Sequence, residues 1–136
     1  LKEANLRAER AGVKFKRLGP KNLEKYCCSF DYIIADVPCS GSGAWRRNPQ
    51  QKWRITPESL NEILTRQTVI LDEAKDLLKK NGYIFYITCS FLKIENEEVI
   101  HNFLMENKHF RLFNKKNVTI DNHGDGFFCA VLQKKN

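Results

Sequence analysis

No stretch of this sequence reaches the roughly 18 apolar residues that a membrane-spanning helix requires, and no signal-peptide pattern opens it. It reads as cytoplasmic. Histidine is scarce: only His101, His109 and His123 are present, all late in the chain. No Cys-x-x-Cys spacing accompanies them, so the sequence lacks the ligand pattern of a zinc site. The five cysteines are an odd set, and without an export signal they read as reduced thiols rather than a disulfide framework. Cys27, Cys28 and Cys129 fit core or loop thiols. Internal repeats and low-complexity linkers are absent, and 136 residues are enough for one domain with a real core. The first residue is Leu1, not Met, and it falls inside a helical pattern. The expectation is therefore a later part of something longer.

What is present is positive charge and strand-like apolar runs. Lys+Arg 23 against Asp+Glu 16 leaves a net +7 and a pI of about 9.2, which favours a polyanionic partner. Leu1, Ala4, Ala8 and Ala11 share a helical face that Gly12 stops. Val13 to Leu18 alternates like a half-buried strand up to Gly19-Pro20. Phe30 to Val37 is nearly continuous and apolar, as in a parallel strand covered on both faces. Thr56, Pro57 and Glu58 mark the start of a long helix. Leu60, Ile63, Leu64, Gln67, Ile70, Leu71, Ala74, Leu77 and Leu78 line one side of it, and Asn81-Gly82 should end it. Tyr83 to Thr88 reads as a second buried strand. After Ser90 to Lys93 comes a helix with an acidic start, Glu95, Glu97 and Glu98, and a buried face of Val99, Ile100, Phe103 and Leu104. Phe110 to Phe113 and Phe127 to Gln133 read as closing strands around a turn at Asp121 to Gly126. This order predicts an α/β domain with a mostly parallel sheet and an antiparallel end.

Two segments concentrate the chemistry. Asp36-Val-Pro-Cys39-Ser-Gly-Ser-Gly43 and Tyr86-Ile-Thr-Cys89-Ser90 each put a cysteine just past a strand-like run. In an open α/β sheet the carboxyl ends of the strands face the ligand crevice, so both thiols should face one site. Other readings of the glycines fail. Arg46 stands where a dinucleotide finger needs its third glycine, the Gly-Lys-Ser/Thr ending of a P-loop is missing, and Ser40-Gly-Ser42-Gly does not fit G-x-S-x-G. Between the segments, Arg46, Arg47, Lys52 and Arg54 are interleaved with Trp45 and Trp53. Cations for phosphates and flat rings for unstacked bases suit single-stranded RNA. Arg46, Arg47 and Lys52 are the expected RNA contacts, and Trp53 is expected to pack in the core.

These segments, with Arg46-Arg47-Asn-Pro49, Lys52-Trp53, Glu95-Asn96-Glu97 and the late Gly124-Asp125-Gly126-Phe127-Phe128, resemble the Sun-type (Fmu) RNA cytosine-5 methyltransferases. The motifs run in the right order over about Phe30 to Leu132. The resemblance implies a partial Rossmann-like, S-adenosylmethionine-dependent methyltransferase fold that lacks the first two strands. It implies a single truncated catalytic domain, with residues 1–29 poorly anchored and 30–136 as the catalytic half. By the same resemblance Cys89 is the nucleophile, Cys39 assists release, and Asp36 contacts the base. Asp36 and Pro38 fall to the S-adenosylmethionine site, whose glycine-rich loop and ribose-binding acid would lie before Leu1. The implied partner is RNA, commonly ribosomal RNA. Cofactor binding and activity of this chain alone are expected to be weak or absent, and the exposed edge of the Phe30 to Val37 strand is expected to favour self-association. A basic RNA-binding module that keeps the scaffold without catalysis is the alternative, and a thiol redox role comes third.

Overall fold

The computed structural model describes residues 2–14, 16, 18–119 and 124–136. Three helices, α1 (Lys2–Arg10), α2 (Pro57–Leu77) and α3 (Glu97–Glu106), accompany four strands, β1 (Phe30–Asp36), β2 (Leu78–Thr88), β3 (Phe110–Val118) and β4 (Phe127–Lys134). The strands form one sheet in the order β1-β2-β4-β3. β1 and β2 are parallel, while β4 is antiparallel to both β2 and β3. Three strands therefore run one way and β4 alone runs against them, as the expected mixed sheet requires.

The core lies between one sheet face and the two longer helices. Ala35, Ile84, Tyr86, Phe128, Ala130 and Leu132 from the sheet meet Leu71, Ala74, Val99, Ile100 and Phe103 from α2 and α3. Alternation along the strands sends the remaining side chains to the other face, where Tyr32, Ile34 and Phe113 are exposed. No helix among the described residues is long and apolar enough to cross a membrane.

Local rules account for several element ends. Helix α1 stops at Gly12, whose φ of +64° is the left-handed conformation glycine adopts without strain. The Gly12 N–H donates to the Glu9 carbonyl at 3.1 Å and the Val13 N–H to the Ala8 carbonyl at 2.9 Å, the paired closure expected of a helix ending on glycine. Helix α2 starts at Thr56, whose side chain accepts from the Ser59 N–H at 3.2 Å while the Ser59 hydroxyl accepts from the Thr56 N–H at 2.9 Å.

Four expectations are corrected. The Val13 to Leu18 strand does not form: Val13, Lys14, Lys16 and Leu18 lie outside any strand, Val13 is exposed, and Phe15 and Arg17 lie outside the described residues. The sheet of the described residues has β1 at its edge and no strand that pairs with Val13, Lys14, Lys16 or Leu18. Helix α2 ends at Leu77, not at Asn81-Gly82. Its last carbonyls are taken by the N–H groups of Cys28, to Asp76 at 3.0 Å, and Ser29, to Leu77 at 2.9 Å. The chain turns straight into β2, and Asn81, at φ +64°, sits in an irregular stretch where the partner of β1 jumps from Leu78 to Tyr83. Third, β3 extends to Val118, past the apolar Phe113, because β4 pairs with it along its full length. Fourth, Glu95 lies outside α3 in a short 3₁₀ turn, Lys93–Glu95, and is fully buried. Of the expected Asp121 to Gly126 turn, residues 121–123 lie outside the described residues, and 124–126 are irregular.

Candidate active site

Parallel neighbours that end in register deliver their next residues to the same rim of a sheet. Asp36 at the end of β1 pairs with Ile87 near the end of β2, so Cys39 and Cys89 leave the sheet side by side. Their sulfurs are 3.2 Å apart. Cys89 is exposed and Cys39 half-buried. Burial, reinforced by the hydrogen bond with Cys89, pushes the Cys39 thiol up to about 12 from its ordinary 9.0. Cys39 therefore keeps its proton at neutral pH, and either sulfur can be the donor in the contact between them.

Buried polar side chains tie the two cysteine loops together. The Ser42 and Ser90 hydroxyls are 2.9 Å apart, and the Ser42 oxygen also accepts the Phe91 N–H at 3.0 Å. The Gly43 N–H donates to the Cys89 carbonyl at 2.9 Å, and the Gly43 carbonyl accepts from the Gly126 N–H at 3.0 Å. There is no room for a side chain at Gly43: a Cβ there would lie 2.0 Å from the Gly126 oxygen and 3.0 Å from the Cys89 oxygen. The Glu95 carboxylate accepts from Ser40 and Ser90. Asn96 adds a brace, accepting the Thr88 hydroxyl at 2.6 Å and donating to the Ser90 carbonyl at 2.9 Å. From α2, the Gln67 amide donates to the Pro38 carbonyl at 2.9 Å.

A cavity of about 450 Å³ opens beside the sulfurs, lined by Cys39, Cys89, Asn48, Gln51, Arg54 and Ile55 among others. Asp36 and Pro38 are exposed at the same rim but do not line that cavity. They give that rim an exposed carboxylate and an apolar pyrrolidine ring. Among the described residues there is no group of three or more His, Cys, Asp or Glu that could hold a metal ion.

The basic loop is arranged differently from the expectation. Trp53 is 84% exposed, not packed in the core, because Pro49–Arg54 forms a surface 3₁₀ helix with no buried residue. Lys52 lies 5.9 Å from the Trp53 ring centroid. The half-buried tryptophan is Trp45, set edge-on against Phe91 at 5.5 Å. Arg46 and Arg47 are exposed on the same loop, and Arg47 pairs with Asp125 of the segment before β4. Arg54, not Lys52, faces the cavity.

Glu95 and Gln67 were not among the expected site residues. Glu95 is hidden in sequence by Glu97 and Glu98, which give the same acidic signal at a helix start. Gln67 does stand out as the one polar residue in the apolar stripe of α2, and that interruption was the available sign.

The sheet order, the single reversed strand and the rim carrying the chemistry define a Rossmann-like methyltransferase domain. The family model described as 16S rRNA methyltransferase RsmB/F matches residues 4–133, and the chain belongs to this family. Ribosomal RNA small subunit methyltransferase B of Photorhabdus laumondii is 38% identical over 114 residues, covering 78% of this chain and 27% of the relative. The crystal structure of PH0851 is 30% identical with a TM-score of 0.81, covering 93% of this chain and 33% of that one. The crystal structure of NSun6 from Pyrococcus horikoshii with SFG shares the fold at 22% identity and a TM-score of 0.75, over 95% of this chain and 37% of that one. The chain thus spans about 27% of the length of the first of these relatives.

Proposed function

We propose that the protein methylates carbon 5 of a cytosine in RNA, with ribosomal RNA the favoured substrate class, and that Cys89 forms a transient covalent bond to the base. The observation that carries this reading is the 3.2 Å approach of an exposed and a protonated sulfur at one strand-end rim. Carbon 5 of cytosine is a weak nucleophile. Addition of the Cys89 sulfur at carbon 6 converts the ring to an enamine able to take an electrophilic carbon at carbon 5. S-adenosylmethionine, when bound, supplies that methyl group.

Release then needs loss of the carbon 5 proton and cleavage of the carbon 6–sulfur bond. Cys39, within hydrogen-bond reach of the departing sulfur, hands its proton to that sulfur as the carbon 6–sulfur bond breaks, and the thiolate so formed takes the carbon 5 proton. Asp36 at the rim contacts the base and balances charge developing on it, and Asp36 with Pro38 forms the part of the cofactor wall present here. Arg46, Arg47 and Lys52 meet the RNA backbone from the exposed loop, with Arg54 at the cavity. A target inside a duplex must be flipped out to reach Cys89. We further infer a cytoplasmic location, self-association through the sheet edge, and weak or absent activity and cofactor binding for these 136 residues alone. Tight S-adenosylmethionine binding by this chain in a calorimetric titration would overturn the last point.

The test uses these residues within a chain of the relatives' full length. Cys89→Ser is expected to abolish methyl transfer to RNA, and Cys39→Ser to accumulate a covalent RNA–protein adduct that survives denaturing electrophoresis. Normal turnover by the Cys89 variant refutes the mechanism and leaves the alternative of an RNA-binding module without catalysis.

A further inference from the structure

A carboxylate with no exposed surface costs several kcal/mol unless its oxygens are satisfied by donors. Glu95 is such a group: its residue is 0% exposed. Its Oε1 accepts the Ser40 N–H at 2.6 Å, and its Oε2 accepts the Ser40 hydroxyl at 2.6 Å and the Ser90 hydroxyl at 2.5 Å. Ser40 directly follows Cys39 and Ser90 directly follows Cys89. One charged group is therefore shared by the two residues that carry the sulfur loops. Its backbone is fixed independently, because the Glu95 carbonyl accepts the buried Tyr86 hydroxyl of β2 at 2.6 Å.

We propose that Glu95 is a positioning residue that holds the Cys39 and Cys89 sulfurs at working distance by clamping Ser40 and Ser90. This deepens the reading of the site given above and rests on it for its catalytic meaning. Hydrogen bonds to an ionised acceptor are shorter and stronger than neutral ones, and three incoming donors match the acceptor-only character of a carboxylate. Glutamine at this position offers one acceptor oxygen and an amide that can only donate. The loops stay linked without the charge through the Ser42–Ser90 contact and the Gly43–Cys89 bond, so Glu95→Gln is expected to loosen the pair while the fold persists.

The experiment reads the sulfur separation in this chain, with Cys27 and Cys28 replaced by serine, since their sulfurs lie only 3.7 Å apart and would compete. Diamide, a two-electron oxidant, removes two electrons and two protons from the Cys39–Cys89 dithiol and closes a disulfide. The closure rate is compared with alkylation of Cys89 by iodoacetamide, which needs one sulfur only. Glu95→Gln is expected to slow closure about tenfold, the equivalent of one charge-assisted hydrogen bond, while alkylation and the cooperative melt are unchanged. Equal closure in wild type and variant overturns the proposal. Should Glu95→Gln lose its cooperative melt, the Ser40→Ala/Ser90→Ala double variant keeps the carboxylate and removes both hydroxyl donors; an unchanged ratio there also overturns it. Within a chain of the relatives' full length the same substitution is expected to lower kcat and leave KM for RNA unchanged. The thiol rates need neither RNA nor cofactor. A wild type that fails to methylate therefore sinks the proposed function without deciding the role of Glu95.

Discussion

Cys39 is the residue whose surroundings make the sharpest statement. Its thiol is pushed up to about 12, so above pH 9.0 an unfolded chain gives up a proton that the folded chain retains. The unfolded state then binds fewer protons, and this residue's contribution to stability, complete below that value, declines as pH rises through the window. Urea denaturation is expected to show lower stability at about pH 10 than at about pH 8, with Cys39→Ala flattening the slope. An unchanged slope in the variant contradicts the burial of this thiol. The meeting of Cys39 and Cys89 at one rim was readable from sequence because each lies just past an apolar strand. The two tryptophans were not: Trp45 and Trp53 are both followed by arginine in one basic loop. Only the tertiary contact with Phe91 decides that the former is partly buried and the latter 84% exposed.

Element starts were more legible than element ends. The Thr56-Pro57 start of α2 obeys a local rule, since the cap and its partner lie within one turn. Its end obeys a distant one, set by the N–H groups of Cys28 and Ser29 from far earlier in the chain. No periodicity in residues 57 to 82 carries that information. The packing of the loop after β1 was not readable, because the backbone that Gly43 meets, at Gly126, lies far later in the chain, just before β4. Gly43→Ala therefore has a steep expected cost. Its methyl must displace backbone on two other segments, and overpacking of this kind costs about 1–3 kcal/mol. Thermal melting is expected to fall by several degrees, with the Cys89 loop displaced as well. A variant as stable as wild type would show that the three segments are not packed as described.

For the whole molecule, the α/β class and the mostly parallel sheet with an antiparallel end followed from the alternation of strand and helix patterns, because each element buries one face against the next. The exposed face was not legible, since Tyr32 and Ile34 read as core residues of a strand covered on both sides. They are 67% and 71% exposed, on an edge strand whose outer hydrogen-bonding groups face no other described strand. Edges of this kind pair with other chains. Sedimentation of the 136-residue chain is expected to show concentration-dependent association that Ile34→Lys suppresses. A monomer at all concentrations counts against it.

The paired strand ends have a last consequence, in the order of synthesis. The two sulfurs are separated by 50 positions in the chain and meet only when β2 is laid beside β1. A nascent polypeptide that has left the ribosome as far as Cys39 carries Cys27, Cys28 and Cys39 but not Cys89, so the sulfur pair does not yet exist. On the proposed mechanism chemistry is thereby withheld until the sheet closes, and competence becomes a certificate that long-range folding is complete.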